Sequence, residues 1–447
     1  MTKEEAELLP SGLVSCLLNN KEVRILKISP DKLTLRLAEK ISNILEIKVA
    51  FHIFDEYRYK EIIINQYIIT NVIEEEFYFI YVLSIKDMEY SKNVKNIFKN
   101  YSKYIMLKTN SEDNEFSQEM VGYPAEQDYE FPEDYNKQKK EWLCDLNYER
   151  YNMNIMNNVE LAITLDNDIL YSKYLEKKIK AFESYYLKEN FVNNHILFKK
   201  DINRLYIGNQ FCHNLFPKMH ILMNMLMKAK EEKLYITLCF TYMRECYIEK
   251  IKEIIDKVYN WCKENNTKIE IVVNDWGMIR LLHNKNDYFS LSLGVLLNKR
   301  KKDPRYIYKK GYIENENLMA ENTLNNSSFN KFLKEQCNIK RYEYENCRYK
   351  ISIADGHNSI HVPFYVTNTS QYCPLYAMCE NMDRGNQKLV TNCPKYCNDY
   401  VFAYPKHLKM VGRYNSLFAF DDTLLKKPKV LEYYINSGID RIVLNFI

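Results

Sequence analysis

Four cysteines stand close together late in the chain. Cys373, Cys379, Cys393 and Cys397 are spaced C-x5-C-x13-C-x3-C within YCPLYAMCENMDRGNQKLVTNCPKYC. Thiolates are soft ligands, and four within one loop can share an iron–sulfur cluster or a zinc ion. Proline follows both Cys373 and Cys393, and a residue before proline is kept out of helix, which suits a ligand loop. Disulfides are the competing chemistry. The opening MTKEEAELLPSG is acidic where a secretory signal needs a cationic start and an apolar run. No run of about 18 apolar residues is available to span a membrane. The expectation is a cytoplasmic chain whose 12 cysteines are free or metal-bound rather than bridged. Cys16, Cys144, Cys239, Cys246, Cys262, Cys337 and Cys347 are scattered and read as small core residues.

Cys₄ zinc sites commonly use paired short C-x2-4-C knuckles, and here only Cys393 and Cys397 form one. The pattern therefore favours an iron–sulfur cluster, with structural zinc as the alternative. His213, His357 and His361 are the imidazoles a mixed site would draw on, although a lone His is more often simply hydrogen-bonded.

These residues need a frame. A chain of 447 residues with 46% hydrophobic and 27% charged content is a folded protein of two or three domains. Its net charge of +4 is no nucleic-acid signature for the whole molecule. The 38 tyrosines, with abundant Lys, Asn and Ile, fit a low-GC genome. Such genomes are common among anaerobes, where an oxygen-sensitive cluster survives.

Residues 1–108 read as a small β-rich, barrel-like domain. Strands are expected at Glu22–Ile28, Lys32–Leu37, Ile47–Phe54, Tyr59–Val72 and Phe77–Ser84, before a helix near Tyr90–Tyr104. The strand order resembles a PilZ domain. That family's Arg-rich start and D/N-x-S-x-x-G turn are missing from KISPDKLTLRL, so no cyclic dinucleotide is expected and the domain is free to dock a protein partner. Residues 109–154 read as an acidic linker. From 155 to 447, short strands alternate with amphipathic helices, the rhythm of an α/β fold. The strands are RLYIGN, LYITLCF, IEIVVND, YFSLSLGVLLN, SIHVPFYVTN and RIVLNF. Their number and spacing predict a TIM-like (β/α)₈ barrel.

Sites in such barrels gather where strands end. LYIGNQFC puts Gly208, Asn209 and Cys212 past one strand, IVVNDWG puts Asn274 and Asp275 past another, and SLGVLLNK puts Asn298 past a third. Ordinary turn and capping chemistry uses the same residues. In order, LYIGNQFC, LYITLCF, VVNDWGMIRLL, SLGVLLN and the cysteine cluster resemble peptidase family U32 over about residues 200–447. The likeness is nearest to that family's iron–sulfur branch, the accessory proteins of oxygen-independent ubiquinone hydroxylation. It implies a TIM-like barrel with a [4Fe–4S] cluster on four cysteines, one of which can follow the first of these strands, as Cys212 does here. Five candidates then compete for four places. Cys393 and Cys397 match most securely, while Cys212 competes with Cys373 or Cys379; spacing alone favours the local four. Asn274, Asp275 and Asn298 become candidate cofactor-binding residues.

No H-E-x-x-H, G-x-S-x-G, P-loop or G-x-G-x-x-G motif is present in the chain. The expected role is an oxygen-independent modification, on a ribosomally made peptide, a small aromatic metabolite or an RNA base. A non-catalytic module stapled by zinc is the alternative, and a U32-type peptidase the third reading.

Overall fold

The computed structural model describes residue 6 and residues 12–54, 58–75, 78–110, 128–130, 132–143, 153–302, 315–381, 385–403 and 409–447. Seven antiparallel strands come first: β1 (Val14–Leu18), β2 (Lys21–Ser29), β3 (Lys32–Leu37), β4 (Ile47–Ile53), β5 (Arg58–Ile63), β6 (Tyr67–Glu74) and β7 (Phe79–Ile85). They lie in the order β5-β4-β1-β2-β3-β7-β6. Leu13, Cys16, Leu33, Val49, Phe51 and Leu83 fill the core beneath them, closed by Tyr90, Val94 and Ile97 from the helix Met88–Asn110. The expected strand Tyr59–Val72 is two strands, because the chain breaks between Ile63 and Tyr67. β1 was not foreseen.

The rest of the described chain is built on β8 (Asp128–Glu130), β9 (Glu160–Leu165), β10 (Arg204–Ile207), β11 (Tyr235–Cys239), β12 (Ile269–Val273), β13 (Phe289–Leu293), β14 (Ile339–Glu345), β15 (His357–Thr369), β16 (Val401–Ala403), β17 (Met410–Arg413), β18 (Ser416–Phe420) and β19 (Ile439–Asn445). Parallel pairing runs from β9 through β15 to β19. β19 then pairs back onto β9. Eight strands thus close into a barrel, as expected. Helices cover most crossovers, but residues 346–356 between β14 and β15 contain none. The helix Ile248–Asn265 is typical. Ile251, Ile254, Ile255, Val258, Trp261 and Cys262 form its buried stripe, at helical spacing. Asn266 ends it in the left-handed conformation, its N–H returning to the Cys262 carbonyl.

Two features set the site. First, β15 outruns the barrel, and its far half pairs antiparallel with β18. β18, β17, β16 and β8 continue as an annex sheet. Residues 370–438 therefore form an insert at the C-terminal ends of the strands, between the last two of them. Residues 109–154, read as linker, contribute β8 and the helix Pro132–Leu143; residues 111–127 and 144–152, with Cys144, lie outside the described residues.

Second, the barrel interior is polar. Glu343 is fully buried and is held by Ser292 (2.6 Å), His361 (3.0 Å), Tyr206 (3.2 Å) and Ser359 (3.3 Å). Below it, Arg441 ion-pairs with Glu160 and Glu270, Arg204 with Glu160, and Arg341 with Glu270 and Asp440. A thin apolar layer of Ala162, Tyr206, Cys239, Val272 and Val443 packs within the barrel. No helix of the described residues is long and apolar enough to cross a membrane.

Candidate metal centre

Cys212 is carried by LYIGNQFC, and the sequence dictates how. Gly208 leaves β10 at φ +111°, where a Cβ would sit 2.4 Å from the Cys239 carbonyl, so only glycine fits. Asn209, buried, then accepts from the N–H groups of Phe211 (2.8 Å) and Cys212 (2.9 Å) and donates to the Asp166 carbonyl (3.1 Å). This Asn turn fixes the Cys212 backbone over the barrel mouth.

The other thiols arrive on the insert. Tyr242 and Asn415 hold its first turn at the Ser370 carbonyl, and Arg244 donates to the Gln371 carbonyl (2.7 Å). Cys373 precedes the helix Pro374–Asn381, and its sulfur accepts from the Tyr376 N–H at 3.4 Å. Asn214 and Tyr247 grip the Val390 carbonyl from the loops after β10 and β11 (both 3.1 Å). Lys395 adopts the left-handed conformation (φ 64°), donates its N–H to the Cys393 sulfur (3.3 Å) and ion-pairs with Asp168. Cys397 follows on a short 3₁₀ turn and is buried.

Electrostatics sort the five candidates. Burial pushes the Cys212 thiol up, and Cys373, Cys397 and Cys393 push it further. Burial raises Cys397 to about 12; Arg413 opposes this, while Cys373 and Cys393 add to it. Cys373 rises to about 11 through burial, with Cys393 and Cys379 adding. Cys393 is raised by burial and eased by the Lys395 N–H. Cys379 differs: after burial, its acidic neighbours Glu380 and Asp399 raise it. Geometry gives the reason. Six residues of helix place Cys379 about 9 Å along the axis from Cys373 and turned well away from it. The structure thus brings Cys212, Cys373, Cys393 and Cys397 into one electrostatic neighbourhood, with Cys379 at its edge.

Among the described residues, no three His, Cys, Asp or Glu side chains are closed into a metal-holding group. The donor set nevertheless suits a thiolate-ligated cluster. Four crowded thiols gain from a cation that displaces their protons, two sulfurs already accept backbone N–H groups, and the Arg413 guanidinium beside Cys397 has a buried Nε without a hydrogen-bond partner among the described residues. All eleven described cysteines are free, which agrees with the unbridged reading.

A thiol whose folded pKa lies above its unfolded value of about 8.5 contributes stability that is lost as pH rises through the folded value. Metal-free protein should therefore lose urea resistance between about pH 8.5 and 11 more steeply than metal-loaded protein, whose ligands are already thiolates. Parallel curves for the two forms would refute this.

The remaining candidates have structural duties. Asn274 donates to the Phe240 carbonyl (2.9 Å) and to Gln210 (3.3 Å) and accepts from the Leu296 N–H (3.0 Å), tying three strand ends together. Asp275 caps the helix Trp276–Leu282 through the Gly277 N–H at 2.7 Å. Asn298 is buried and accepts from Thr323. A Cβ on Gly294 would lie 2.1 Å from Asn274 Oδ1. Gly294→Ala should therefore cost about 1–3 kcal/mol, and less when Asn274→Ala is also present, a coupling readable from urea midpoints. Strict additivity of the two changes would contradict the clamp. His361 belongs to the barrel lumen with Glu343, and His357 pairs with Asp440 at the opposite end from the thiols. His213 stays near the thiols, stacked on Tyr247 at 4.6 Å, with burial, Arg244 and Lys250 bringing it down to about 4.

Beside the thiols a cavity of about 840 Å³ opens between the loops after β10 and β11 and the insert. Cys212 and Cys393 stand in its wall with His213, Phe216, Phe240 and Tyr247. Phe216 and Phe240 stack at 4.7 Å in its wall, and Lys218, Lys250, Glu253, Glu380 and the ion pair of Lys395 with Asp168 also line it. The sequence reading missed Arg413, Lys395 and Tyr247, because no spacing rule links them to the cysteines.

No family model matches the chain, and no curated protein matches it. Among solved structures, an uncharacterized Legionella protein, Lpg0364, is 17% identical over 22% of this chain and 95% of its own, with a TM-score of 0.16. A likeness that slight says nothing about this chain's architecture or role.

Proposed function

We propose that this chain is an iron–sulfur protein of U32-like type that takes part in an oxygen-independent modification, with a ribosomally made peptide as the favoured substrate. The observation that carries the reading is the convergence of Cys212 with Cys373, Cys393 and Cys397 at the barrel mouth, beside the aromatic-walled cavity. When bound on four thiolates, a [4Fe–4S] cluster supplies one-electron transfer. The chain's own residues would do the rest. Tyr376 and Lys395 N–H groups would neutralise sulfur charge, Arg413 would compensate the net negative site, and Phe216 and Phe240 would seat a planar group. An aromatic side chain, a small aromatic metabolite or an RNA base would suit that wall. Asn214 and Tyr247 hold the insert in place over it.

Peptide recruitment draws support from the N-terminal domain. Among the described residues β6 pairs on one side only, with β7, and exposes Ile68, Ile69, Val72 and Ile73. An edge strand of this kind can accept a peptide strand.

Anaerobic purification with iron, sulfide and zinc analysis tests the reading. A brown protein with stoichiometric iron and acid-labile sulfide is expected. A colourless protein holding one zinc would replace it with the structural-zinc alternative, which the Cys393/Cys397 pair also permits. Peptide cleavage that survives iron removal would favour the peptidase.

A further inference from the structure

A second, smaller cavity of about 200 Å³ lies between the helix Pro132–Leu143, the loop after β9 and the annex sheet. Two cations face it. Lys139 is buried on that helix, and its Nζ has one neutral acceptor, Asn190 Oδ1, at 3.0 Å. Arg413, at the end of β17, brings a guanidinium whose buried Nε has no hydrogen-bond partner among the described residues. Burial first, and Arg413 next, bring Lys139 down to about 7, against Glu189 and Asp166, which hold it up. Lys139 lies over the Tyr135 ring at 5.6 Å and Arg413 over the Tyr414 ring at 5.3 Å, yet a buried cation with no hydrogen-bonded anion is expensive.

Asp166 and Glu189 offset part of that cost through space, but among the described residues neither is hydrogen-bonded to either cation. Asp166 is turned to Asn167 (2.8 Å) and Tyr414 (3.2 Å), and burial raises its pKa. Glu189 is exposed at the rim, and the Ile447 oxygen receives the Tyr135 hydroxyl at 2.7 Å. Tyr185 and Tyr186 complete the polar lining, while Ile169, Leu170, Val401 and Phe446 make the walls apolar. A guanidinium fork matches the planar geometry of a carboxylate. The volume corresponds to roughly six or seven waters at about 30 Å³ each, enough for a small organic body.

We propose that this cavity binds a small carboxylate-bearing ligand, with the carboxylate held between Lys139 and Arg413 and the apolar remainder against Ile169, Leu170 and Phe446. Among the described residues, no thiol lines this cavity; it shares Arg413 with the surroundings of Cys397, while Lys139 and the apolar wall belong to it alone.

Calorimetry on the full-length, metal-loaded protein tests it, with propionate and benzoate as probes, propionamide and benzamide as neutral matches, and inorganic phosphate as a competing anion. Saturable binding of at least one carboxylate is expected, about tenfold or more tighter than its amide. Lys139→Met and Arg413→Gln should each weaken it by a similar factor, while Lys139→Met keeps the metal content of the parent. Should Lys139→Met fail to fold, Asn190→Asp supplies an internal carboxylate to Lys139 and should abolish binding. Equal affinity for acid and amide, preference for phosphate, absence of saturable binding, or binding that survives Asn190→Asp or both cation replacements would each overturn the proposal. Loss of iron without loss of carboxylate binding would count only against the cluster reading.

Discussion

Replacing Cys212 by Ser is expected to strip most of the iron from the anaerobically prepared protein, whereas Cys379→Ser should keep it. In sequence the reverse looks more natural, since Cys379 is six residues from Cys373 and Cys212 is more than a hundred and fifty away. Physical placement decides otherwise. The Asn209 turn delivers Cys212 to the thiols of the insert, and the helix from Pro374 carries Cys379 away toward Glu380 and Asp399. Carboxylates beside a thiol oppose its ionisation, which is the wrong setting for a ligand. Loss of one of four thiolate ligands should lower cluster occupancy severalfold, with serine a poor replacement for so soft a ligand. Iron and sulfide per chain, with the visible spectrum, measure the outcome. If Cys379→Ser lost its iron while Cys212→Ser kept it, the insert would have to rearrange around the metal, and the local four-cysteine reading would be restored. Cys393→Ser and Cys397→Ser should both lose iron under either assignment, so they serve as controls.

Much of the barrel was legible because its outer faces obey simple rules. LYITLCF and IEIVVND are short β-branched runs, and β11 and β12 occupy them. The stripe of Ile251, Ile255, Val258 and Cys262 between them is a plain 3.6-residue period. β14 escaped notice, because IKRYEYE alternates charge with tyrosine. In an ordinary half-buried strand such charges face water. Here Arg341, Glu343 and Glu345 point inward or toward buried partners, while Tyr342 and Tyr344 pack under the helices. The period of two was present in the sequence, but its polar phase belongs to the inside. β9 was passed over for a related reason, as ELAITL is brief and opens with the lumen acid Glu160.

The site was half legible. Cysteine spacing marked the insert, and strand-end logic marked Cys212, yet no one-dimensional rule could choose between Cys212 and Cys379. That choice depends on how far a short helix travels and on which loop crosses the barrel mouth. The strand-end asparagines illustrate the opposite error. Asn274 and Asp275 have the residue types of a binding site, but a clamp across Phe240 and Leu296 and a helix cap use up their hydrogen bonds. Lys139 carried no motif at all and is informative only because the fold buries it opposite Arg413.

The polar lumen leads to the largest expected loss of stability. Arg441 is almost fully buried and donates to Glu160, to both oxygens of Glu270 and to Tyr206 (2.8 Å). Burial alone would push Glu270 up, but Arg441, Arg204 and Arg341 outweigh it and bring the carboxyl down to about 2. Such a depressed carboxylate contributes stability at neutral pH that fades as pH falls below its unfolded value of about 4.3 toward the folded one. Arg441→Met keeps the bulk and removes the charge, leaving Glu160 and Glu270 to share Arg204 and Arg341. Breaking a buried ionic network from one side costs about 3–5 kcal/mol, because the carboxylates lose their main counter-charge but not their burial. The deficit should be largest near pH 7. It should shrink as pH falls below about 4.3, where the parent loses the stability its depressed Glu270 carboxylate supplied. Urea midpoints for parent and variant at the two pH values measure both effects. A deficit under about 1 kcal/mol, or one that grows on acidification, would mean that water reaches this end of the lumen and solvates the acids in place of Arg441.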